Sequence, residues 1–172
     1  MLVHTIGHGT RPIEELLECL REARIETLVD VRRFPSSRRH PQFARAALEA
    51  ALATAGIAYH HAAELGGRRS GEPGEERFSC IRTAAFRSYA ARMARPEWQE
   101  ALAAAVASPA PCLMCAETLW WRCHRSLIAE LLAARGHDVV HLLGPRKREP
   151  HRPSDEAEHR GGRLYLCGRL VA

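Results

Sequence analysis

Apolar positions along this chain alternate between two rhythms. Short runs of consecutive apolar residues end at polar or glycine positions, and longer stretches carry apolar residues three and four apart. "LVHTIGH" is the first short run, closing at Gly7. In "RPIEELLECLREARI" Ile13, Leu16, Leu17 and Leu20 fall on one helical face, and Pro12 suits a first turn. "ETLVDVR" is a second strand, and "QFARAALEAALATAG" is a helix stopped at Gly56. "IAYHH" is a third strand. "IRTAAFRSYAARMA" and "PEWQEALAAAVA" are helices divided at Pro96, and "PCLMCA" is a buried fourth strand. "CHRSLIAELLAARG" turns Leu127, Ile128, Leu131 and Leu132 inward, with Gly136 ending the helix, and "DVVHLL" is a fifth strand. Strands alternating with helices predict right-handed β-α-β units. The expected fold is a three-layer α/β sandwich, with a mostly parallel sheet of about five strands and helices on both faces.

The 172 residues, nearly half of them apolar, suit a single domain spanning 1–172. The stretch 144–162, rich in charge, Pro and Gly, predicts a flexible loop, and "RLYLCGRLV" after it predicts an edge strand. No apolar run approaches membrane-spanning length and no signal peptide is evident, so the expected location is the cytoplasm, with no membrane partner. In that compartment the six cysteines are expected to be free thiols, with no structural disulfide.

In parallel sheets, ligands bind beyond the carboxyl ends of strands. His8 follows the first strand, Asp30 and Arg32 close the second, His60 and His61 the third, and Cys115 and Glu117 the fourth. Cys123 and His124 begin a helix, where free N–H groups favour a thiolate or a bound anion, and Arg122 and Arg125 add positive field. A carboxylate two residues past a buried strand, as at Glu117, must meet solvent, an Arg or a ligand. Asp30 and Arg32 share one side of their strand and fit either an internal ion pair or a ligand clamp. Gly66 and Gly67 in "ELGGRR" offer a turn or lid hinge.

These residues predict an enzyme, a Cys-dependent transferase or hydrolase, acting on a small phosphate- or carboxylate-bearing ligand such as a nucleotide. Cys123 is the thiolate nucleophile or redox group, His124 or His8 is the acid/base, Glu117 polarises or orients the ligand beside Cys115, and Arg32 and Arg125 hold the anion.

A second reading is a metal or cofactor site built from Cys115, Cys123 and His124 or His8, although "PCLMCAE" lacks the order and spacing of zinc deaminases. A third is a nucleic-acid-binding module using the Arg-rich stretches 32–39, 68–69 and 146–152. The net charge of +5 favours an anionic partner, but 24 of the 25 basic residues are Arg, which points to genome composition and ranks this reading last. No motif specifies a cofactor or an oligomeric state.

"TIGHGT", "LVDVRRFPSS", "GIAYHHAAELGG" and "CAETLWWRCHRSLIAELL", in this order over residues 3–142, resemble the bacterial and archaeal domain-of-unknown-function family 488. The family's usual "TIGHS" appears here as "TIGHG". The resemblance implies a cytosolic α/β domain whose site comprises His8, Asp30, Arg32, Gly66, Gly67, Cys115, Glu117, Cys123, His124 and Arg125, and it supplies no reaction.

Overall fold

The computed structural model describes residues 1–36, 38–68 and 70–172. Its main sheet has six strands in the order β3-β2-β4-β1-β5-β6. β1 (Leu2–Gly7), β2 (Thr27–Asp30), β3 (Ala58–His61), β4 (Pro111–Cys115) and β5 (Asp138–Gly144) are all parallel. β1 and β4 are central and almost wholly buried, as continuous apolar runs require in a sheet covered on both faces.

Two cores follow from the alternation of side chains along each strand. On one face Ile6, Cys112 and Met114 pack against Leu16 and Leu20 of α1 (Ile13–Glu22) and Leu48 and Leu52 of α2 (Arg45–Thr54). On the other, Val3, Leu113 and Cys115 meet α3 (Ala84–Met93), α4 (Pro96–Ala107) and α5 (Arg125–Ala134). The two cysteines of "PCLMC" therefore sit in different cores. All four apolar positions expected inward on α5 are buried, and Gly136 follows the helix at φ +80°, the left-handed geometry that ends helices.

The C-terminal segment departs from expectation. Within 144–162, expected as a flexible loop, β6 (Lys147–Pro150) pairs antiparallel with β5, and β7 (Ala157–Arg160) begins a separate sheet. Polar residues suffice for β6 because only one of its edges pairs and its side chains face water. β8 (Arg163–Leu166) and β9 (Arg169–Leu170) complete a three-stranded antiparallel sheet instead of extending the main one. Leu164, Leu166 and Val171 anchor that sheet in the core of α5.

The expectation of no structural disulfide is also corrected, because Cys80 and Cys167 are bonded, with Cα atoms 5.7 Å apart. The bond ties the turn before α3 to the turn between β8 and β9. Residues 87 apart in sequence are neighbours there, a proximity that sequence spacing does not reveal. The other four cysteines are free and buried. Among the described residues, no helix is long and apolar enough to cross a membrane.

Candidate functional site

Past the ends of β1 and β4 the two chains stay paired. The His8 N–H donates to the Cys115 carbonyl at 2.9 Å, and the Gly9 N–H to that of Ala116 at 3.0 Å. This leaves no room for side chains. A Cβ on Gly7 would lie 1.9 Å from the Glu117 carbonyl oxygen, and one on Gly9, whose φ is +54°, 2.2 Å from Thr118 Oγ1. Gly66 and Gly67 serve the same end from the loop after β3. A Cβ on Gly66 would come within 2.6 Å of Arg33 Cα, and one on Gly67 within 2.6 Å of His124 Nδ1. The glycines expected to form a hinge are thus points of close approach that bring three loops together.

At the meeting point stand Cys115, Cys123 and His124. Their Sγ and Nδ1 atoms all lie within 4.8 Å of one another. His124 Nδ1 is 3.6 Å from Cys123 Sγ and 3.9 Å from Cys115 Sγ, and its ring tilts against Tyr89 with centroids 5.0 Å apart. Proximity to the Cys115 thiol, with His124 and the charge of Arg125, pulls the Cys123 thiol well below its ordinary range despite burial. The same proximity and burial push Cys115 well above it. The pair is thus biased toward a thiolate at Cys123 and a thiol at Cys115. His124 Nε2 is buried and has no hydrogen-bond partner among the described residues.

Arg125 is 1% exposed. Its Nη2 donates to the carbonyls of Glu117 and, at 3.3 Å, Thr118, while Nη1 donates to Thr5 Oγ1 at 3.3 Å. No carboxylate pairs with it among the described residues. The anion in its field is the Cys123 thiolate, and a buried cation needs such a partner. Arg125 thus lies beneath the site as a fixed charge. Glu117 faces outward, its carboxylate accepting the Leu119 N–H at 3.3 Å.

Asp30 and Arg32 form the internal pair rather than an open clamp. Arg32 Nε and Nη2 donate to the two carboxylate oxygens at 2.8 and 2.5 Å, and the Arg32 N–H and Tyr59 hydroxyl complete the set around Asp30. Arg32 Nη1 donates to the Phe43 carbonyl at 2.9 Å and to His8 Nε2 at 3.3 Å. His8 stacks on Phe43 and donates from Nδ1 to the Gly9 carbonyl. Burial, assisted by the Arg32 charge, lowers His8 to about 4. Both its nitrogens are engaged. His61 closes the group by donating from Nε2 to the Arg32 carbonyl, while His60 is exposed to solvent.

A cleft of about 740 Å³ opens above the sulfur pair, with His8, Arg32, Gly67, Cys115, Glu117, Cys123 and His124 among its lining residues. Asp30, Gly66 and Arg125 support it from behind. Its rim holds Arg122, expected to add positive field, and Arg33, Arg38, Arg39 and Arg68 from two of the stretches expected of a nucleic-acid-binding module, all exposed and none ion-paired among the described residues. Among the described lining residues these five exposed arginines face one acid, Glu117, while the sixth, buried Arg32, is neutralised by Asp30 behind it. The available signal was "RRFPSSRRH", an Arg cluster without an acid. Arg69 and Ser37 lie outside the described residues.

Cys115, Cys123 and His124 also suit a metal. Bonds of about 2.3 Å to sulfur and 2.0 Å to nitrogen around a tetrahedral ion set their separation at roughly 3.6 Å, close to the 3.6 and 3.9 Å here. His8 lies outside this group. The family described as domain of unknown function DUF488 matches residues 12–132. No curated protein and no solved structure matches the chain significantly.

Proposed function

Because the chain belongs to the DUF488 family, whose description names no reaction, we propose its function from the site alone: a thiol-dependent transferase or hydrolase acting on a phosphate- or carboxylate-bearing, nucleotide-like ligand. The observation that carries this reading is the convergence of Cys115, Cys123 and His124 on the floor of a cleft rimmed by five exposed arginines without ion-pair partners among the described residues. Cys123 is the nucleophile. Its sulfur forms a bond to the electrophilic phosphorus or carbonyl carbon of the ligand as the bond from that atom to the leaving group breaks. The leaving group departs with the electron pair and takes a proton from His124, and water or a second acceptor, giving its proton back to His124, then displaces the thiolate. Cys115, beside the thiolate, sets its basicity. Arg125 supplies fixed positive field from below, and the rim arginines draw the anion in. The role once open to His8 as base passes to His124, since both His8 nitrogens are occupied. Asp30 and Arg32 brace the loop.

The test is alkylation by iodoacetamide near neutral pH, read peptide by peptide by mass spectrometry, on protein purified without an affinity tag. Cys123 is expected to react much faster than Cys19, whose thiol burial pushes upward. Equal rates would overturn the reading. The sulfur–nitrogen spacing favours a second reading, a metal centre on the same three residues. Stoichiometric metal in that protein, with alkylation released only by a chelator, would establish it instead.

A further inference from the structure

The rim differs in kind from the floor. The two buried arginines near the sulfur pair are consumed internally, Arg32 by Asp30 and Arg125 by carbonyls and the thiolate field. The positive charge left for a ligand stands at the mouth, on three separate loops carrying Arg33, Arg38 and Arg39, then Arg68, then Arg122. Exposed guanidiniums spread over three loops suit several phosphates strung along a backbone better than one phosphate cluster inside a pocket.

One exposed aromatic ring stands among them: Phe34, 60% exposed, lines the cleft and follows Arg33, whereas Trp121, 51% exposed, lines a separate pocket with Leu127, Glu130 and Arg152. The Arg33 guanidinium lies 5.0 Å from the Phe34 ring centroid. An exposed ring among cations without ion-pair partners offers a stacking face to an unstacked base while the arginines follow the backbone.

From this we propose that the cleft binds a segment of single-stranded nucleic acid and presents one unit of it to the Cys123 floor. The proposal rests on the reading of the site as a thiol centre for anions, and names the ligand class.

Binding is to be measured by fluorescence anisotropy with labelled single-stranded DNA and RNA of about eight nucleotides. The Cys123→Ser protein is used, so that no thiol chemistry intervenes. Five available arginines set an upper bound of about −3.5 on the slope of log affinity against log salt, at roughly −0.7 per phosphate contact. The Arg38→Ala/Arg39→Ala double variant is expected to flatten that slope by roughly 1.4. Phe34→Ala is expected to weaken binding roughly five- to a hundredfold with the slope unchanged.

Absence of salt-dependent binding would overturn the proposal, as would an unaltered slope in the double variant. So would nucleoside triphosphates competing as strongly as the oligonucleotide, which would mark a mononucleotide site. This measurement does not use the thiol, and alkylation of Cys123 does not use the oligonucleotide, so either reading can fail alone.

Discussion

Gly67→Ala tests whether the loop after β3 sets the reactivity of Cys123. The added Cβ would sit 2.6 Å from His124 Nδ1 and 3.1 and 3.2 Å from Cγ and Cε1, pressing on the edge of the ring that carries the donor. Ordinary contact begins near 3.4 Å, so the ring must retreat by close to an ångström. Its N–H now lies 3.6 Å from Cys123 Sγ, and such a retreat takes it out of hydrogen-bond reach. A hydrogen bond to a charged group contributes roughly 1.5–3 kcal/mol, which corresponds to a rise of about 1–2 pH units in the ionisation of Cys123. The assay is the iodoacetamide rate at Cys123 as a function of pH. Gly144→Ala serves as control, because a Cβ there meets nothing within 4 Å. An unchanged pH profile in folded Gly67→Ala protein would refute the link between Gly67, His124 and the thiolate.

Three further outcomes follow from the supporting structure. Asp30→Asn leaves Arg32 buried without its counter-charge and is expected to cost about 3–5 kcal/mol in urea unfolding; a loss below about 1 kcal/mol would show the pair to be dispensable. His8 titrates at about 4 when folded instead of 6.5, so between those values the unfolded chain takes up a proton that the folded one does not. Stability should therefore fall as pH drops from about 6.5 toward 4, by up to roughly 3 kcal/mol from this residue. His8→Gln should flatten that dependence, and identical slopes in the two proteins would contradict the assignment. Replacing both Cys80 and Cys167 by Ser removes a crosslink spanning 87 residues, and loop-closure entropy predicts a loss of roughly 4–5 kcal/mol. An unchanged melting temperature would indicate that the crosslink contributes nothing.

The sheet was legible because burial on both faces writes β1 and β4 as unbroken apolar runs, and because parallel strands force their carboxyl ends to one side. That rule brought His8, Arg32, Cys115 and Glu117 to one cleft and the helix start after β4 added Cys123 and His124, whereas His60 and His61, expected there by the same rule, are not among the cleft's lining residues. Periodicity failed where strands are short, polar and held by pairing alone, as in β6 and β7. Spacing also could not show that Arg125, one position past the N-cap His124, turns inward beneath the thiolate, or that Arg32 is spent on Asp30. Both depend on which partner lies across a strand end. The rim arginines were obscured for another reason. In a chain whose basic residues are nearly all Arg, only the fold shows which of them lack an acidic neighbour.

The central claim is that Cys123, on the floor of the cleft, is held as a thiolate nucleophile. The most direct measurement is the ultraviolet thiolate absorbance of the protein minus that of Cys123→Ser, followed from alkaline to acidic pH. The account predicts a one-thiolate difference that persists several units below the ordinary thiol value of about 8.5. A difference that vanishes with a midpoint near that ordinary value would contradict it.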